Sequence, residues 1–102
     1  MYLVRKPRGD AKDTRVFVVV SRSEVLDAAY STAICAPVYS AREGLASQVE
    51  VGPEDGLKHD SAIHCDALAS VPKRMLTDYI GSLSPAKVGR LDAALRVALD
   101  LD

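Results

Sequence analysis

Hydrophobic residues fall along this chain in short blocks parted by polar turns, a spacing that predicts strands until residue 84 and a helix after it. "YLV" (2–4) and "RVFVVVS" (15–21) read as strands, the second an almost unbroken β-branched run of the kind that is buried on both faces. Between them "RKPRGDAKDT" is polar and holds Pro7 and Gly9, which marks a loop or hairpin connection. "SRSEVLDAAY" reads as a short helical or irregular crossing. "STAICAPVYS" is a third strand whose Pro37 predicts a strand end or an edge, since proline brings no N–H to a ladder.

"SQVEVG" alternates as an exposed strand, "PEDG" turns, and "SAIHCDAL" (61–68) alternates again. Ser70 and Pro72 announce a short helical turn through about Leu76, and "DYIGSL" is the last strand. Ser84 is then a good N-cap and Pro85 a good first helical residue, its ring presetting φ where an N–H would find no partner. Val88, Leu91, Leu95 and Ala98 recur at helical spacing with Leu99 beside them, leaving Lys87, Arg90, Asp92 and Arg96 outward. Strands followed by a helix, without alternating βαβ units, predict an α+β fold: a small, strongly curved antiparallel β-barrel-like sheet with a C-terminal helix.

Length and composition agree. At 102 residues, 48% hydrophobic and 26% charged, the chain suits one ordered domain over residues 1–102 that needs neither metal nor disulfide to hold its core. No apolar run approaches the roughly 18 residues that span a bilayer, and no secretory leader opens the chain, so a cytoplasmic protein without membrane contact is expected. Cys35 and Cys65 sit in apolar stretches and are expected to be reduced and buried. The net charge of −1 hides an asymmetry: residues 1–22 carry +4 and the remainder −5. The basic end could meet a phosphate backbone, but the charge run taken alone reads first as a solvated loop rich in Lys and Arg.

Chemistry concentrates in "HDSAIHCDAL" (59–68). Strand alternation would put His64, Asp66 and Leu68 on one face and Ile63, Cys65 and Ala67 on the other, with His64 and Asp66 about 6–7 Å apart along the backbone. Such a pair can do acid–base work near neutral pH, or can be the polar trim of a half-exposed strand. A hydrolytic triad lacks a nucleophile elbow. His59 and His64 fall on opposite faces, which offers no metal site. No glycine loop of the P-loop or dinucleotide kind is present, so no cofactor is expected. Arg15 opens the most hydrophobic strand, where it can bracket a phosphate bidentately or pair with Asp10 or Asp13.

The runs "RVFVVVS", "PVYS", "GLKHDSAIHCDAL" and "GSLSPAKVGRLDAALRVALDL", spanning about Arg15 to Leu101, resemble the MazF/PemK/Kid family of toxin endoribonucleases. Its patterns are an R-P-V-L-V-V-S-type strand, a P-I-T-S strand end, a G-L-x-x-D-S-V-V-x-C-D-Q segment and an R-I-G-x-L-S-x-x-x-M-x-x-V-D-x-A-L helix. The resemblance implies a homodimer that cleaves single-stranded RNA at short sequences without metal or cofactor, in the cytoplasm, and is silenced by a cognate antitoxin.

Carried over residue by residue, Arg15 falls on the arginine assigned to the phosphate or leaving group. Asp66 falls on the aspartate that acts as base, and His64 stands where those members have a catalytic arginine. Ser40 falls on the last residue of the pair lining the RNA groove, beside Tyr39. Lys6, Arg8 and Lys12 of the basic opening are candidate phosphate contacts. The chain departs from the pattern at Tyr39 (usually Thr), Ala67 (Gln) and Ala69 (Arg), and its opening loop lacks the G-x-E-Q-x-G stretch. An exposed tyrosine there suits base stacking.

CcdB-type gyrase poisons share the fold and are similar in "PVYSAR" and "ASVP", but their gyrase contact is a C-terminal Trp-Gly-Ile, and this chain ends "ALDLD" with no tryptophan. A binding-only member of the same fold is the third alternative.

Overall fold

The computed structural model describes residues 2–6, 15–20, 31–76 and 78–101. Among the described residues seven strands, β1 (Tyr2–Lys6), β2 (Arg15–Val19), β3 (Thr32–Tyr39), β4 (Gln48–Val51), β5 (Ser61–His64), β6 (Ala69–Pro72) and β7 (Asp78–Ser82), precede one α-helix, α1 (Pro85–Ala98). The strands form one antiparallel sheet in the order β4-β5-β3-β2-β1-β7, with β6 pairing the first half of β3. The basic loop at 7–14 and the crossing at 21–30 lie outside the described residues.

The core explains the order. Along β2 the side chains alternate between two clusters: Val18 joins Ala36, Val49, Ile63, Cys65, Leu91 and Ala94 under the helix, while Phe17 and Val19 join Ala33, Cys35 and Val71 on the other side. A strand flanked by apolar clusters on both faces accounts for the unbroken "VFVVV". The helix begins as its sequence dictates, with the Ser84 hydroxyl accepting from Lys87 N–H at 3.3 Å and Pro85 in first position. Leu91 and Ala94 are its buried residues.

The sheet path ends at β4 and β7 and is open, yet its two ends meet through the turn after β4. Gly56, at φ +96°, packs on Ile80 of β7, and a Cβ built on Gly81 would come within 2.9 Å of the Asp55 carbonyl. Only glycine permits that approach, and it gives the sheet its barrel-like wrap.

Four local expectations change. β5 stops at His64, and Cys65–Ala67 form a 3-10 turn. Alternation suggests a longer strand because Ile63 and Cys65 are both buried, but Asp66 and Ala67 are exposed in succession, as a turn allows and a half-buried strand does not. The "ASVP" segment is β6, not a helical turn; the single turn follows it at Lys73–Met75.

Pro37 lies within β3, paired with Phe17 of β2. The Ile34 carbonyl accepts from Val20 N–H, so even-numbered β3 residues turn their backbone groups to β2 and Pro37 turns its nitrogen the other way. There β6 pairs residues 32–35 and β5 pairs 38–39, leaving the proline in the gap. Lys87 is the fourth change: it bends inward to Glu54 Oε1 (2.8 Å) and Asp55 Oδ2 (2.5 Å), with only 14% of its side chain exposed.

Candidate active site

β5 and the turn after it deliver His64 and Asp66 to one rim of the sheet, beside the segment that leads from β3 to β4. The β4–β5 register pairs Gln48 with His64. Each of two consecutive residues, Ser47 and Gln48, then holds one of the candidate side chains. The buried Ser47 donates its hydroxyl to Asp66 Oδ2, while its carbonyl accepts from Cys65 N–H at 3.1 Å. Asp66 is exposed, so its carboxylate is fixed in direction yet open to solvent.

His64 is half-buried and engaged at both nitrogens: Nε2 lies 2.9 Å from the Ala41 carbonyl and Nδ1 lies 3.5 Å from Gln48 Nε2. Tyr39 meets the imidazole edge-on, with ring centroids 5.0 Å apart. Tyr39 and Ser40, both exposed, thus flank the same rim. His64 and Asp66 are brought together through the Ser47–Gln48 pair and not through one strand face. Ser47 and Gln48 escape a reading of the sequence, because the register that joins them to β5 is not written in either segment. The signal available is only that "SQVEV" and "SAIH" alternate as pairable strands.

Arg15 opens β2 and pairs with Lys6 of β1. One position before the Val16–Val38 pair, its backbone stands level with Tyr39 at the end of β3. The side chains of Arg15 and Lys6, and Arg8 and Lys12 entirely, lie outside the described residues. Among the described residues no three His, Cys, Asp or Glu side chains gather as metal ligands. Among the same residues no helix is long and apolar enough to cross a membrane.

The two thiols take no part. Burial pushes Cys35 up to about 11, and burial, then the Asp66 charge, pushes Cys65 up to about 11. Each is a protonated core residue at neutral pH.

A small wrapped antiparallel sheet with a C-terminal helix carries this hydroxyl-braced carboxylate at an open rim, and comparison with known proteins identifies the family. The family model of the PemK-like, MazF-like toxins of type II toxin–antitoxin systems matches residues 2–99, and the chain belongs to that family. Among curated relatives, Endoribonuclease MazF3 of Mycobacterium tuberculosis is 31% identical over 85 residues, covering 83% of this chain and 82% of that protein. The probable endoribonuclease MazF5 of the same species is 32% identical over 87 residues, covering 84% and 79%.

Among solved structures, the Mycobacterium tuberculosis toxin MazF-mt6 superposes with a TM-score of 0.88 at 25% identity over 100% of this chain and 99% of that one. A mycobacterial endoribonuclease in complex with its cognate antitoxin shares the fold, with a TM-score of 0.84 at 23% identity over 99% and 93%. The gyrase-poison alternative has no counterpart among these four.

Proposed function

We propose that this MazF-type toxin endoribonuclease cuts single-stranded RNA without a metal ion, with Asp66 as the base that activates the substrate's own 2′-hydroxyl. The observation that carries the reading is the exposed Asp66 carboxylate, aimed by the Ser47 hydroxyl on the rim shared with Tyr39 and Ser40. Asp66 takes the 2′-hydroxyl proton, the 2′-oxygen attacks phosphorus, and the 5′-oxygen leaves and takes a proton from solvent. The products are a 2′,3′-cyclic phosphate and a 5′-hydroxyl end. Charge building on the phosphorane needs a fixed cation, the role of Arg15, whose fork of donors matches two phosphate oxygens.

Around this centre Tyr39 stacks a base, Ser40 lines the groove, and Lys6, Arg8 and Lys12 track the phosphates. The working unit is a homodimer in the cytoplasm, and a cognate antitoxin restrains it; the antitoxin-bound structural relative supports that partner. The test uses one sequence as RNA and as DNA, each incubated with the protein in EDTA. RNA cut at discrete sites beside intact DNA supports the reading, because DNA lacks the nucleophile. Equal cutting of both, or none of either, removes it.

A further inference from the structure

Resting on the ribonuclease reading, we propose that His64 is a positioning residue: in one neutral tautomer it latches the 40–47 segment, and with it the brace on Asp66, and its protonation opens the latch. The tautomer follows from a chain of donors. Glu43 N–H donates to Gln48 Oε1 at 3.1 Å, which turns the Gln48 amide nitrogen toward His64 Nδ1. Nδ1 is therefore the acceptor, and Nε2 carries the proton that it gives to the Ala41 carbonyl.

The segment has little else to hold it. Every residue from Ser40 to Ala46 is exposed, and Gly44 turns at φ +70°. Without a buried side chain, its course depends on polar ties: Ala41 to His64, Glu43 to Gln48, Gln48 N–H to the Leu45 carbonyl at 3.0 Å, Ser47 to Cys65 and Asp66, and a long, exposed ion pair of Arg42 with Asp60 at 3.8 Å. The segment leaves β3 directly after Tyr39, which the β3–β5 ladder holds opposite Ala62, and it ends at Ser47.

A second proton on His64 breaks this chain in either arrangement. An Nδ1–H would face the Gln48 amide N–H, and turning the amide over would set its N–H against Glu43 N–H. The charged and titratable groups near the ring are Tyr39 of β3, Arg42 and Glu43 on the latched segment, Asp60 just before β5 and paired with Arg42, Glu50 two places along β4 from Gln48, and Asp66 two residues on. Gln48, which occupies Nδ1, is neutral, so the frustration is one of donors and not of charge.

The experiment combines cleavage rates with nuclear magnetic resonance on the full chain from pH 8 to 5.5. Long-range ¹⁵N spectra should show Nε2–H at pH 8. The Glu43 and Cys65 amides should move together with the His64 ring as it protonates, and kcat should fall about tenfold or more while KM changes less. His64→Gln keeps a donor for Ala41 and cannot titrate; it should stay within about threefold of wild type at pH 8 and lose most of the acid fall. Gln48→Glu presents acceptors to both Glu43 N–H and a protonated ring, and should move the fall to lower pH by one unit or more.

An Nδ1–H tautomer, amides indifferent to the ring, or an unchanged acid fall in His64→Gln would overturn the latch. So would a loss beyond a hundredfold in His64→Gln at pH 8 with those amides in place, since His64 would then touch the reacting atoms. Coupled amides in a protein that cuts no RNA at any pH would keep the latch and end the ribonuclease reading instead.

Discussion

Ser47 and Asp66, nineteen residues apart, are joined by a hydrogen bond from the serine hydroxyl to Asp66 Oδ2, and the serine end of that bond is buried while the aspartate is exposed. A carboxylate on a 3-10 turn otherwise has free rotamers; a buried donor fixes one of them. Hydrogen bonds to charged groups contribute about 1.5–3 kcal/mol, so Ser47→Ala should lower kcat for RNA by about ten- to a hundredfold with little change in KM. Single-turnover cleavage measures this, and an unaltered rate would make the serine a bystander.

Lys87 anchors the start of α1 on the turn that draws the two ends of the sheet together. Asp55 is buried and also accepts from Gly52 N–H at 2.9 Å, so Lys87→Met would leave a buried carboxylate without its cation. Breaking a buried pair on one side costs about 3 kcal/mol, and urea unfolding should show a loss of that order. Adding Asp55→Asn should restore part of it.

The pH dependence of this pair has a definite sign. Burial disfavours the Lys87 ammonium, but Asp55 and Glu54 outweigh it and hold the group above its ordinary 10.5. Its stabilisation is full below that value and is lost as pH rises through the folded one. Lys87 also holds Glu54 below its ordinary 4.5, so that contribution is present above 4.5 and is lost in acid.

Much of this was legible in the sequence, for reasons that can be named. β2 announces two-sided burial because Phe17, Val18 and Val19 must all find apolar neighbours, and α1 announces its own start through Ser84 and Pro85. What cannot be read from a sequence is pairing. Gln48 opposite His64 is a fact of register between two segments, and so is the proline gap opposite β5 and β6. The turn at Cys65 is hidden because a buried residue two places after Ile63 looks like one more step of a strand. Lys87 looks outward on a helical wheel, and only the fold shows that the wheel's edge faces Asp55.

Both thiols should be silent in the native state. With Cys35 and Cys65 each pushed up to about 11, neither should react with Ellman's reagent at pH 8, and both should react in denaturant. Because the folded state favours the protonated thiols, their contribution is full below the ordinary 9.0 and fades as pH rises toward 11. Urea midpoints should therefore fall between pH 8 and 10.5. Prompt native reactivity would contradict the burial.

If Lys6, Arg8 and Lys12 meet phosphates, each releases counterions from the RNA. The plot of log K against log salt for single strands loses about 0.7 in slope per contact, so neutralising all three should flatten it by about 2. An unchanged slope would place them away from the nucleic acid.

The central claim is that Asp66 activates the 2′-hydroxyl, and one comparison reaches it directly. Wild type and Asp66→Asn, matched in fold by urea unfolding, are incubated with a long single-stranded RNA in EDTA, and the ends are mapped. Discrete cuts bearing 5′-hydroxyl and cyclic phosphate ends, lost by a factor of a thousand or more in Asp66→Asn, are the expected result. Cuts of equal rate in both proteins, or 5′-phosphate ends, would contradict the mechanism.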